Sequence, residues 1–427
     1  MSPTRGSWRR NGSVGHINFR PTLAFASAIV FLLCACPNLR AQQPLTLTDA
    51  ITSALASPAA QVFDEELNAS KGLLRQAHLG PNPRLYLQSE DLRPWDSQFS
   101  FADQTEEYGY LAQTFELDGK RRKRVGLAQA DVNIAEAQRD LKRQQFTASV
   151  AASYWRAVSA ESIVSLLQQD IAGVDEIVRY HKERVDAGAM RGIDLIRVQI
   201  ERDRVYLSLQ TARRDAALAR ADLFRQIGRQ DFATIRLTDS ITTMPLLPPL
   251  DVQAALSRRI DLRVAQQQLT AAQANVKLQH AIATPDLDLS AGYKRNNNFD
   301  TLYTSMNIQL PFRNRNQGEI ERSQAQVRLA EDQLRQSELA ARADIEAARV
   351  SYDQQLDIVQ HTLPEIRDRA KQNLTIMTEA YRIGGVDLLR YIDAERTEID
   401  VEITALKTLT EFQQSAVRLQ IATGERP

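Results

Sequence analysis

Apolar positions recur at heptad spacing along much of the chain. Leu127, Ala130, Ile134, Ala137 and Leu141 are separated by 3, 4, 3 and 4 residues, the period of helices that pack along a seam. Leu195, Val198, Val205, Leu209, Ala212, Ala216, Ala219 and Leu223 keep the same period. Between Lys120 and Val185 there is no proline, and glycine occurs only at 126 and 173. The pattern predicts a helix of about 65 residues, a rod roughly 95–100 Å long. A second rod is expected from Gly318 to Ile383, bent at Pro364. Elsewhere the period changes to two. Leu302, Thr304, Met306, Ile308 and Leu310 alternate with Tyr303, Ser305, Asn307 and Gln309, which predicts a strand with one apolar face. Leu287, Leu289, Ala291 and Tyr293 alternate similarly, Tyr108, Tyr110, Ala112 and Thr114 more weakly, and Leu85 to Leu92 least of all. Strands of about nine to eleven residues suit a tilted crossing of a bilayer. Four strands cannot close a barrel alone, because small barrels need about eight. A solid core as long as the rods is implausible, so the hairpins are expected to assemble side by side with other copies.

The chain also repeats itself at an offset near 195 residues. Gly192-Ile193-Asp194-Leu195-Ile196-Arg197 matches Gly385-Val386-Asp387-Leu388-Leu389-Arg390. Gln129-Ala130-Asp131-Val132 matches Gln324-Ala325-Gln326-Val327, and Ala135-Glu136 then falls on Ala330-Glu331. More weakly, Pro83 matches Pro285. Each copy has one order: a short helical region (Leu47 to Leu79, Val252 to Ala283), a proline stop, two strands, a long helix, a glycine-containing break and a returning helix. The copies are read as 42–229 and 252–427, joined by a linker or equatorial segment at 230–251 that carries Pro245, Pro248 and Pro249. The expected class is mainly α with a small β part.

The N-terminus changes the picture by assigning a compartment. Arg5, Arg9, Arg10 and Arg20 precede an apolar run from Thr22 to Ala35, the layout of a secretory signal peptide. Cleavage after Ala41 makes 1–41 the leader. Alternatively, Leu33-Cys34-Ala35-Cys36 is a lipoprotein signal, with 1–35 removed and Cys36 acylated. Both cysteines lie here, so the exported chain has no disulfide framework and no Cys-based site. No later stretch reaches 18 apolar residues, so no transmembrane helix is expected; membrane residence would need a β-barrel or lipid.

Composition narrows the chemistry further. The 427 residues carry 53 Lys+Arg and 53 Asp+Glu, and only 6% are aromatic. A zero net charge argues against a nucleic-acid binder, which needs a basic excess to displace counterions. His78, His181, His280 and His361 are scattered, without a His or Cys partner at ligand spacing. There is no phosphate-binding loop and no nucleophile elbow. Neither a catalytic site, a resident metal nor a cofactor is expected.

Together these features resemble the TolC family of outer-membrane efflux factors, most closely its cation-efflux (CzcC- and CusC-like) branch. The carriers are Leu47-Thr48-Asp49-Ala50, Arg75-Gln76-Ala77 leading to Gly80-Pro81-Asn82-Pro83, and Asp118-Gly119-Lys120-Arg121-Arg122. The most specific is Ala380-Tyr381-Arg382-Ile383-Gly384-Gly385-Val386-Asp387-Leu388-Leu389, followed by Ile392-Asp393-Ala394-Glu395-Arg396. The resemblance implies a homotrimer with a twelve-stranded outer-membrane β-barrel, four strands from each protomer, and a long periplasmic α-barrel of duplicated hairpins. It implies a passive duct that docks a periplasmic adaptor and an inner-membrane pump, here one of the RND type exporting heavy-metal cations. A drug-efflux or type I protein-secretion duct is the alternative within the family. A periplasmic structural or adaptor coiled coil is the alternative from another class, although an adaptor would carry one hairpin rather than two.

In that family the glycine breaks are the periplasmic tips, where the tunnel narrows and the adaptor docks. Here they map to Gly188–Gly192 and to Gly384 and Gly385. Local identity sets Gly192 on Gly385, so Asp194 meets Asp387 and Arg197 meets Arg390; this register is preferred for ancestry. A gapless register sets Gly188 on Gly384, so Arg191, Asp194 and Arg197 meet Asp387, Arg390 and Asp393 with opposite charges. Asp194 and Asp393 resemble acidic tip residues of the family, and Arg390 departs from its pattern. The expectation is that these six charges include salt bridges that close the resting tip. The competing expectation is that they are solvated i,i+3 pairs.

Overall fold

The structure is a computed structural model that describes residues 43–230, 235–245, 247–296 and 299–425. The leader and Cys36 lie outside the described residues. In chain order the elements are β1 (Gln43–Leu45), α1 (Leu47–Leu55), α2 (Pro58–Ala77), β2 (Arg84–Glu90), α3 (Phe101–Gln104), β3 (Glu106–Phe115), α4 (Lys120–Asp186) and α5 (Gly192–Ile227). The second half runs β4 (Ile235–Leu237), α6 (Val252–Arg258), α7 (Ile260–Ile282), β5 (Leu287–Asn296), β6 (Phe299–Ile308), α8 (Gln317–Asp357), a π turn (Ile358–Thr362), α9 (Leu363–Arg382) and α10 (Leu388–Ala422).

The first rod forms as its composition dictates. α4 runs unbroken for 67 residues, about 100 Å at 1.5 Å per residue. The heptad positions Ala130, Ala137, Val198, Leu209, Ala212, Ala219 and Leu223 are buried, and their small side chains let the helices approach closely. The irregularity expected at Pro364 is the π turn immediately before it. Proline has no N–H to give to the preceding turn, and a local change of hydrogen-bond spacing accommodates the loss.

The two short helical regions differ from expectation, because each is split. Pro58 takes the first position of α2, a place where its missing N–H costs nothing. Arg259, extended at ψ 125°, separates α6 from α7. Both breaks receive the end of a returning helix. Gly228 and Gly424 have φ of +70° and +76°, and a Cβ on either would come within 2.9 Å and 2.8 Å of Ser57 and Arg258, respectively. The segment read as a linker also carries structure: β4 pairs with β1.

The main core lies where these pieces meet the middle of the long helices. Tyr154, Phe224 and Phe412 are fully buried there. The Tyr154 hydroxyl donates to the Leu45 carbonyl at 2.9 Å. Tyr352 repeats the device in the second half, donating to the Pro245 carbonyl at 2.8 Å.

Strands β2, β3, β5 and β6 form one antiparallel sheet in that order. The β3–β5 ladder joins the two repeats. One face presents Leu85, Leu87, Leu111, Leu289, Tyr293, Leu302 and Met306, all exposed. The register places Tyr86, Tyr108, Tyr110, Thr114, Asp288, Ser290, Lys294 and Tyr303 on the other. Tyr108 and Tyr110 therefore share the polar face, opposite Leu302 and Leu289. Among the described residues no helix is long and apolar enough to cross a membrane.

Candidate functional site

The two tips are built alike. α4 and α9 each end in a turn with glycine just past the cap, Gly188 at φ +71° and Gly384 at φ +77°. Gly188 N–H donates to Val185 O at 2.9 Å and Ala189 N–H to Arg184 O at 2.9 Å. Gly384 N–H donates to Tyr381 O at 3.1 Å and Gly385 N–H to Ala380 O at 2.7 Å. Both are Schellman motifs, which need a left-handed residue and so favour glycine. Gly188 and Gly384 lie 196 residues apart, as do the helix starts Gly192 and Leu388. The tips thus superpose in the gapless register. The identity register, preferred for ancestry, is displaced from it by three residues.

The helix starts differ in their caps. Asp387 caps α10, its carboxylate accepting from the Arg390 N–H at 3.0 Å. Arg191 occupies the corresponding position before α5 and offers no capping oxygen. Asp194, in the first turn of α5, pairs instead with Arg191 at 3.1 Å and with Arg197 at 3.8 Å. Arg197, Asp387, Arg390 and Asp393 line one groove with Ile200 and Arg396, between α5 and α10. Among the described residues no ion pair joins the three charges of one tip to the three of the other. The nearest link across α5 and α10 is the bidentate bond of Arg396 to Glu201.

Beside the tips, contacts form that no spacing in the sequence indicates. His181 is fully buried, with Nδ1 2.8 Å from the Ile177 carbonyl and Nε2 2.8 Å from the Tyr381 hydroxyl. Tyr381 stacks on Tyr391 with ring centres 5.3 Å apart. These rings and Val198, Leu388 and Ile392 form a small apolar cluster that ties α4, α5, α9 and α10 together. Next along the bundle is a cavity lined by Asp170, Glu201, Arg204, Glu395, Arg396 and Asp400. Burial, reinforced by Asp170, Glu201 and Glu398, pushes the Glu395 carboxyl up to about 7. Burial, with Glu398 and Glu201, pushes Asp170 up to about 6. Among the described residues no group of three or more His, Cys, Asp or Glu is arranged to hold a metal ion.

The chain is thus a pair of duplicated helical hairpins joined to a four-stranded sheet with one exposed apolar face, the architecture of a helical-hairpin subunit. The sequence profile of the outer membrane efflux protein family matches residues 57–229 and again 252–425, and the chain belongs to that family. It is an outer-membrane protein with a large periplasmic helical portion. The cobalt-zinc-cadmium resistance protein CzcC of Cupriavidus metallidurans is 25% identical over 389 residues, 89% of this chain and 90% of that one. The pyoverdine export outer membrane protein OpmQ of Pseudomonas aeruginosa is 24% identical over 380 residues, 84% of this chain and 77% of that one. Among solved structures, that of CusC superposes with a TM-score of 0.77 at 17% identity, over 89% of this chain and 92% of CusC.

Proposed function

We propose that this protein is the outer-membrane duct of a tripartite efflux system and conducts heavy-metal cations passively. The observation that carries the reading is the pairing of two features in one duplicated chain. The sheet has a lipid-type outer face, and the helical hairpins are far longer than a bilayer is thick. Similarity to CzcC over nearly both full lengths supports the metal substrate.

Assembly as a homotrimer follows from what one protomer leaves open. β2 and β6 are unpaired edges of the sheet, and exposed edges invite further pairing. Three copies supply twelve strands, enough for a closed barrel. α5 exposes Ile193, Ile196, Ile200, Leu207 and Leu218, a second apolar stripe suited to a neighbouring helix. The tips are the docking end for the adaptor, which connects the duct to an RND-type pump. Arg191, Asp194, Arg197, Asp387, Arg390 and Asp393 hold the resting tip closed across the trimer, on the glycine turns at Gly188, Gly384 and Gly385. No step of this work requires catalysis or a cofactor. The repeats 42–229 and 252–427 act as two quasi-equivalent hairpins of each protomer.

The test is a deletion strain grown on cobalt, zinc, cadmium, copper, silver and a drug panel. Loss of tolerance to one or more metals, restored by the gene in trans, is the expected result. Unchanged tolerance to all the metals would defeat the cation reading, and a drug-only phenotype would favour the drug-efflux duct.

A further inference from the structure

The polar face of the sheet carries an aromatic band with no part in the reading so far. Tyr86, Tyr110 and Tyr303 lie in one row, through the register Tyr86 to Tyr110 to Gly292 to Tyr303. The Tyr86 and Tyr110 rings stack with centres 4.9 Å apart. Tyr110 meets Tyr303 at 4.6 Å although a whole strand separates them. That reach depends on glycine at 292, where a Cβ would fall 2.4 Å from the Tyr110 Cβ. Tyr108, in the next row outward, packs edge-on against Tyr303 at 5.6 Å. Lys294 Nζ lies 4.7 Å from the Tyr108 ring centre. Four rings thus run from one sheet edge to the other.

The rows around the band make it the prominent feature of that wall. Immediately below stand Arg84, Ala112, Ser290 and Ser305, mostly small side chains. Most flanking charges pair off, Lys294 with Glu106 at 2.7 Å and Arg84 with Asp288 at 3.3 Å, while Glu90, on the same face, accepts from Gln88. At the level of the band, a solute passing this face meets ring edges and phenol hydroxyls, with the Glu90 carboxylate beyond them.

We propose that the tyrosine band, repeated in three protomers, is a size-selecting collar inside the barrel. It passes small hydrated cations and excludes bulky organic molecules and polypeptide. The proposal rests on the polar face lining a closed barrel, as in the duct reading above. Pore selectivity of this kind is set by diameter and by the hydrogen-bonding groups of the wall.

The test places a thiol below the collar, Ser290→Cys, and adds maleimides to the outside of intact cells. Labelling is scored against the parent chain without that thiol. A small maleimide is expected to label position 290 whether or not the collar is present. A polyethylene-glycol maleimide is expected to label only when Tyr86, Tyr110 and Tyr303 are all alanine, with a rate gain of about tenfold. Replacing the same three by phenylalanine should keep the exclusion, because the rings remain. Equal polyethylene-glycol labelling with and without the tyrosines would overturn the collar. Failure of even the small reagent to reach position 290 would also overturn it, because that face would then line no lumen. Trimer yield on unheated gels establishes assembly. Should the triple variant not assemble, Tyr303→Ala at the sheet edge carries the same comparison. The growth test stands apart: lost metal tolerance with no size exclusion defeats the collar alone, and exclusion without a metal phenotype defeats only the cation reading.

Discussion

The residues with the most pH leverage are carboxylates whose titration no motif announces, although Glu395 lies in the Ile392–Arg396 segment. Glu395 on α10 faces Asp170 on α4 and Glu201 and Arg204 on α5, with Arg396, Glu398 and Asp400 on its own helix. Its carboxyl titrates at about 7 in the folded chain, against an ordinary value of 4.5. The folded state therefore holds a proton that the unfolded chain releases earlier, and its stability falls as pH rises from about 4.5 through 7. The full effect of Glu395 is on the order of 3 kcal/mol, shared with Asp170 as one coupled unit. Solubilised wild type should be more heat-stable at pH 5.5 than at pH 8, and Glu395→Gln should flatten that difference. An unaltered pH profile in Glu395→Gln would remove the cluster as its cause. None of this was legible in the sequence. With 53 acidic residues in the chain, spacing cannot single out two, and only the meeting of three helices desolvates them. His181 escaped for the same reason, since its partner Tyr381 is 200 residues away.

At the level of elements the sequence is far more explicit. The first rod was expected from Lys120 to Val185 and runs from Lys120 to Asp186, because a heptad free of proline leaves little choice. What the period does not contain is the irregular backbone. No pattern in the sequence marks Gly228 and Gly424, yet they are the points where each returning helix presses on a break between two shorter ones. Gly188 has a similar φ but open space around a would-be Cβ. These contexts separate two costs of the same substitution. Gly188→Ala should lose only the left-handed penalty, about 1–2 kcal/mol. Gly228→Ala adds a clash with Ser57 and should cost more, about 3 kcal/mol or above. Denaturant or thermal unfolding of the purified variants measures both, and equal losses would mean that the packing against Ser57 gives freely. The sheet shows the same limit: alternation located the strands, but only the pairing register revealed that Tyr108 and Tyr110 stand with Tyr303 on the polar face.

For the whole molecule, the tip charges matter through what they meet in the proposed trimer. Within one protomer Asp194 is already bound to Arg191 and Arg197 along its own helix start, and Asp387 is bound to the backbone of α10. These are local pairs of the kind worth under about 1 kcal/mol when exposed. Asp393 has no such side-chain partner among the described hydrogen bonds and ion pairs, and it lines the groove with Arg197 and Arg390. A closing function must therefore come from groups that face a neighbouring tip. Asp393 is the carboxylate best placed for this, and Asp194 becomes available when a neighbour competes for Arg191 or Arg197. Repeated at three equivalent junctions, weak pairs add up, and reversing their sign turns each attraction into repulsion. Asp194→Arg together with Asp393→Arg should raise the single-channel conductance of trimers in planar bilayers about twofold or more. The corresponding neutral changes to asparagine should give a smaller rise. High salt should shrink the gap between variant and wild type, because exposed charges are screened within about 10 Å at 0.1 M. A conductance indistinguishable from wild type at low salt would leave the six charges as solvated helix ends with no part in closure.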